Sequence, residues 1–334
     1  MLLDRRVLIP AALLLAVVPA TVPASAQANA PASVPAWPDR NVTILVPFAA
    51  GSTPDLIARV LADGFQSRLG KVFLVENRPG ASGNIATAAV AKAAPDGHTL
   101  GVSIVGPLVI NPLIMASVPY DPDRDIAPLS IVATQPNDLA VHPGLGVRSV
   151  DDLIALMRKA PDKYNYGSIG KGSLSHLSME ALAAKSGTRP VHVVFPGSPA
   201  AVTALIRGDV HMANLVAGAV VPQARDGKLV MLAVTSPTRT SLLPQLPTMA
   251  ESGIAGVEAD AWVGLIAPAG TPKPVLDRIL AETRAALAPP QVAERLKPAF
   301  MVPVGSTTEE FRAMLKAERE RWEPVIRSGQ IKVE

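Results

Sequence analysis

The 334-residue chain has no cysteine, which excludes disulfide staples, thiol catalysis and thiolate metal sites. Aromatic residues are 4% of the chain and the formal net charge is only +3. Lys and Arg are scattered, so the stacking platform and basic stripe of a nucleic-acid binder are both missing. His98, His142, His176, His192 and His211 show no i, i+4 pair, and no metal site or other cofactor is expected. Beyond Val18 there is no apolar run long enough to span a bilayer. Internal repeats are absent as well.

What is present begins with export chemistry. Arg5 and Arg6 precede the apolar stretch Val7–Val18, and Ala24-Ser25-Ala26 offers a small-residue cleavage site. Residues 1–26 therefore read as a signal peptide cleaved near Ala26, and 27–37, rich in Ala, Pro and Ser, as a flexible leader. The Arg pair leaves general secretion and twin-arginine export both open. With 49% hydrophobic residues, the remainder can build a substantial core and is expected to be soluble.

Short apolar runs alternate with helical patterns. Strands are expected at Val42–Val46, Val72–Val75, Leu100–Ile104, Leu129–Thr134, Leu139–His142, Tyr164–Gly167, Val191–Phe195, Met212–Leu215 and Leu229–Val234. Between them, Pro54–Leu69 carries Leu56, Ile57, Val60, Leu61 and Phe65 on one face, and further helices are expected at Asn84–Ala93, Val150–Lys159, Leu174–Lys185 and Ala200–Arg207. After the segment opening at Val263, Pro274–Leu287 and Thr308–Ile326 are the last long helices, the latter capped by Ser306 with Glu309. The alternation implies an α/β protein with largely parallel sheets.

Two strand-to-helix loops carry the chemistry. In Val46–Asp55, V-P-F-A-A-G-S-T-P-D, Gly51 allows a tight turn, Ser52 or Thr53 can cap, and Pro54 suits a first helical position. Unpaired N–H groups at such a helix start attract anions. Tyr166–His176, Y-G-S-I-G-K-G-S-L-S-H, has the same construction: Gly167, Gly170 and Gly172 expose backbone, and Ser168, Ser173 and Ser175 supply hydroxyls. A phosphate-binding P-loop is excluded because Gly172, not Ser or Thr, follows Lys171. Asp55 has two open roles, a first-turn acid complementing the helix dipole or an acceptor for a ligand ammonium. Lys171 is either a solvated loop lysine or a cleft cation that attracts a carboxylate.

The first loop, together with E-N-R-P-G-A-S-G-N (Glu76–Asn84) and P-D-G-H-T-L (Pro95–Leu100), resembles the extracytoplasmic receptors of tripartite tricarboxylate transporters, the Bug-type solute-binding proteins. The second loop, Phe195-Pro196-Gly197-Ser198-Pro199-Ala200, Pro119–Pro122, Leu232–Thr235 and Ala267–Pro272 extend the likeness over about 38–330. It implies a type II periplasmic binding protein-like fold with 38–140 plus 259–334 as one lobe and 141–258 as the other, a cleft between them, and two crossovers. It further implies a monomeric periplasmic protein that closes on a small carboxylate (dicarboxylate, aromatic acid or amino acid) and docks on inner-membrane permease subunits. The candidate ligand contacts are Phe48, Ala49, Gly51, Ser52, Thr53 and Asp55 in the first loop and Ser103 and Gly106 after the third strand. In the second half they are Ser168, Gly170, Gly172, Ser173 and His176, with Pro196 and Gly197.

The chain departs from the family pattern at Ser52 for Gly, Phe195 for Tyr and His211 for Asp. If that Asp touches ligand in relatives, the ligand here differs. Two rival classes remain: a ligand-sensing module, and an exported hydrolase or lyase using Ser168 or Ser173 with His176.

Overall fold

The computed structural model describes residues 37–329, 331 and 332; the expected signal peptide and all but the last residue of the leader lie outside them. Eleven strands run in chain order: β1 Val42–Val46, β2 Phe73–Asn77, β3 Thr99–Ser103, β4 Ile126–Gln135, β5 Asn137–Val141, β6 Asn165–Ser168, β7 Val191–Val194, β8 Met212–Val216, β9 Val230–Val234, β10 Ala261–Pro268 and β11 Val302–Pro303. They form two sheets, β11-β4-β10-β3-β1-β2 and β7-β6-β8-β5-β9.

The two sheets share one plan. Each has three parallel strands, β2-β1-β3 and β7-β6-β8, with an antiparallel strand inserted beside the third. In the first sheet that strand is β10, arriving from the second half of the chain; in the second it is β5, arriving from the first half. The inserted strands are therefore the two crossovers. Pro136 alone separates β4 from β5. The sheet change thus precedes the expected boundary at 140, and the strand expected at Leu139–His142 belongs to the second lobe. The reason is physical: Pro cannot donate to a ladder, so one residue suffices to end one sheet and begin the next.

Burial follows the pattern read from the sequence except at Leu56, which is exposed. Ile57, Leu61 and Phe65 of helix Thr53–Leu69 are fully buried against β1 and β3 residues such as Ile44 and Leu100. The last helix, Thr308–Ser328, packs on β4 and also on helix Leu174–Ser186 of the second lobe, so it spans both. Its cap is Thr307 with Glu310, one residue past the expected pair, because the Ser306 hydroxyl accepts from Ile131 N–H and donates to Thr307 O. Three segments escaped the helical pattern: Gly106–Ile114, which is a π-turn run into a short α-helix, Ala217–Arg225, and Pro290–Leu296.

Candidate functional site

A cleft of about 350 Å³ lies between the sheets, beyond the carboxyl ends of β1, β3, β6 and β8. This is where open α/β sheets hold ligands. Lobe one lines it with Phe48, Ser52, Thr53, Ser82, Gly106 and Asn111; lobe two with Gly170, Lys171, Gly172, Ser173, Ser198 and Asn214; the crossovers add Gln135, Asn137 and Trp262.

Three helix starts converge on it. Ser52 sits at the N-cap of helix Thr53–Leu69 but makes no cap bond, and its Oγ has no partner. In the first turn of this helix the Thr53 and Asp55 N–H groups have no helical carbonyl to bond, and Pro54 has no N–H. Ser173 caps helix Leu174–Ser186, with its Oγ accepting from His176 N–H at 3.4 Å and donating to Gly170 O at 2.6 Å. Ser198 opens the third helix after Gly197. Each helix start presents partial positive charge. Lys171, exposed on its loop, is the one ionisable side chain among the lining residues. The cleft therefore has a positive potential and no acidic side chain on its wall.

The walls are held from behind. Ala81 and Ser82 are non-glycine residues at φ 45° and 54°, strain of the kind that persists where surroundings dictate it. Here Asn111 Nδ2 donates to Ser82 O at 3.2 Å and to Asn84 Oδ1 at 2.7 Å, and Tyr120 OH donates to the same Oδ1 at 2.8 Å. Gly83 is required because a Cβ would come within 2.9 Å of Pro107 and 3.2 Å of Pro47. Behind the second loop, His176 Nδ1 accepts from Gly172 N–H at 3.0 Å, and its ring stacks on His192 at 3.9 Å. Burial, then the neighbouring His192 and Lys171, lower the His176 pKa to about 3, so it stays neutral. The lobes touch at this loop: a Cβ on Gly172 would lie 2.1 Å from Ile114 Cδ1 of lobe one.

Of the residues expected from the sequence, Phe48, Ser52, Thr53, Gly106, Gly170, Gly172 and Ser173 line the cleft. Others lie behind the lining. Asp55 is buried and consumed: it accepts from Gly51 N–H (2.8 Å), Arg59 Nε (3.0 Å) and Asn77 Nδ2 (2.9 Å), and despite burial these bonds lower its pKa. These bonds fit the first of its two open roles, a structural acid in the first helical turn. Ser103 bonds Thr87 (3.2 Å), and Ser168 bonds His192 Nε2 (2.6 Å); both are fully buried. His176 supports the loop, while Ala49, Gly51, Pro196 and Gly197 flank lining residues. His211 pairs with Asn165 Oδ1 (2.6 Å) at the opposite end of β8, away from the cleft, so its replacement of Asp says nothing about ligand. No hydrogen bond joins a Ser173 or Ser168 hydroxyl to the His176 ring; the bond from His176 to Ser173 comes from its backbone.

Sequence reasoning missed Asn111, Gln135, Asn137, Asn214 and Trp262 as cleft residues. The strand-end positions of Gln135 and Trp262 were the available signal.

Two sheets of one plan, joined by two crossovers and closing on a cleft, define a two-lobed solute-binding protein. The chain belongs to the tripartite tricarboxylate transporter receptor family, a family of periplasmic solute-binding receptors of the Bug type: the model described as "Tripartite tricarboxylate transporter family receptor" matches residues 57–331. It is 34% identical over 298 residues to Protein BugT of Bordetella pertussis (strain Tohama I), covering 89% of this chain and 91% of BugT. Rpa4515 of R. palustris, solved with adipate, is 35% identical with TM-score 0.78 over 89% of this chain and 99% of that one. MatC of Rhodopseudomonas palustris, solved with bound malate, is 31% identical with TM-score 0.73 over 87% of this chain and all of that one (100%).

Proposed function

We propose that the protein captures a small organic acid anion in this cleft outside the cytoplasmic membrane and hands it to the permease subunits of a tripartite transporter. The observation that carries the reading is the cleft itself: three helix starts and Lys171 face about 350 Å³ with no acidic side chain on the wall. A carboxylate gains from each of these without a buried cation that would stand unpaired when the site is empty. The unspent Ser52 hydroxyl supplies a further contact. Adipate and malate in the two related structures support a carboxylate ligand. Binding draws on both lobes, so ligand favours the closed state.

Isothermal titration with dicarboxylates, aromatic acids and amino acids tests this. One-to-one binding of a carboxylate without turnover supports the reading. Hydrolysis of an ester or amide, with no carboxylate bound, overturns it.

A further inference from the structure

The crossovers carry acid side chains that the ligand site does not use. Asp138, second residue of β5, is fully buried, and neither carboxyl oxygen has a hydrogen-bond partner among the described residues. Its strand neighbours are Leu215 on β8 and Val234 on β9. An ionised carboxylate without donors in such surroundings is strongly disfavoured, so the group holds a proton. Burial and the nearby charge of Asp260 act in the same direction.

Asp260 immediately precedes β10 and accepts from Ser236 Oγ at 2.8 Å. The charged groups facing it are Glu318 and Arg321 on the last helix, and Asp138 across the crossover. Arg321 is already engaged by Glu318 at 3.4 Å and Glu258 at 3.6 Å. Glu318 takes the Trp322 Nε1 hydrogen bond. Arg321 thus serves Glu318 and Glu258, and neither Asp138 nor Asp260 forms an ion pair with it.

The backbone beside these two acids ties the two crossovers together. Asn137 O accepts from Thr235 N–H (2.8 Å) and Oγ1 (3.2 Å), Asn137 Nδ2 donates to Ala259 O (2.9 Å), and Ala259 N–H donates to Thr235 O (2.9 Å). Lobe opening must rework the residues beside this knot. We propose that Asp138 and Asp260 form a proton-binding site coupled to closure: the closed state holds the proton, and opening admits water to the hinge and releases it. Proton and ligand then favour the same state, and each raises the affinity of the other by an equal factor. The ligand half of this statement rests on the receptor reading; the hinge half does not.

Small-angle X-ray scattering of the protein without ligand, from pH 6 to 8.5, tests the hinge half. The radius of gyration of the wild type is expected to rise with pH, and to lose that dependence in Asp260→Asn and in Asp138→Leu. A wild-type radius that is flat with pH, or an unchanged slope in both variants, overturns the proposal. Titrations with adipate and malate, dianionic across this range, test the ligand half. A bound probe should weaken by up to about tenfold per pH unit for one linked proton. Binding without pH dependence overturns the coupling and leaves the receptor reading intact. Failure of every carboxylate to bind, with the scattering slope present, counts against the receptor reading and not against the proton site.

Discussion

Replacing Asp260 by Asn is expected to stabilise the protein, and only above about pH 4. Burial is the largest cause raising this carboxyl from 3.8 to about 7, against the opposing bond from Ser236. A native-state value above the unfolded one means that the folded protein binds the proton more tightly. The stabilising contribution is therefore complete below the unfolded value of 3.8 and is lost as pH rises through about 7. Each pH unit between these limits corresponds to about 1.4 kcal/mol, so the ionised group destabilises the fold by roughly 4 kcal/mol at pH 8. Asn keeps an acceptor for Ser236 Oγ, carries no charge, and removes the repulsion on Asp138. The variant should match the wild type near pH 4 and exceed it by up to roughly 4 kcal/mol at pH 8, or about 8 °C in Tm at ~2 °C per kcal/mol for a chain of this size. Differential scanning calorimetry at half-unit steps between pH 4 and 8 reads both curves. Parallel curves, or a variant less stable at pH 8, would refute the reasoning.

Other substitutions separate binding from folding. Gly172→Ala, whose Cβ would meet Ile114 Cδ1 at 2.1 Å at a φ of +77°, should hold the lobes apart and weaken carboxylate binding at least tenfold, with partial recovery in Gly172→Ala/Ile114→Ala by titration calorimetry. Ser52→Ala removes a hydroxyl that the protein does not use, so Tm should stay put while affinity falls about five- to tenfold, the worth of one hydrogen bond. Ser173→Ala removes a working cap and should instead cost about 1 kcal/mol of stability by urea denaturation. Asp55→Asn disturbs a buried acceptor of three groups and should lower stability by about 2 kcal/mol at pH 7, without discriminating amino acids from plain dicarboxylates.

The strand and helix order was legible because apolar runs and amphipathic stripes alternate cleanly, and both binding loops announce themselves through Gly and Ser before a helix. Gly106–Ile114 was not, since Pro107 and Pro112 interrupt any helical pattern. Pro222 hid Ala217–Arg225 in the same way. The role of Asp55 was left open although Arg59 stands at i+4, the spacing of the ion pair that occupies it at 2.9 Å. Gln135, Asn137 and Trp262 reach the cleft from strands whose pairing is set by contacts distant in sequence, such as β4 with β10 and β5 with β8. Local pattern has no access to that pairing. Asp138 fell just outside the strand expected at Leu139–His142, and only the packing of both neighbouring strands shows that its carboxyl stands alone.

The central claim is that the cleft binds a small carboxylate. Of the three tryptophans, Trp262 alone lines the cleft among the described residues. A fluorescence titration with a carboxylic-acid panel, run on wild type and Trp262→Phe, tests the claim most directly. A saturable change with one or more carboxylates, lost in the Phe variant while calorimetry still detects its binding, is the result this account predicts. No carboxylate binding by either method, or an unaltered fluorescence response in the Phe variant, would contradict it.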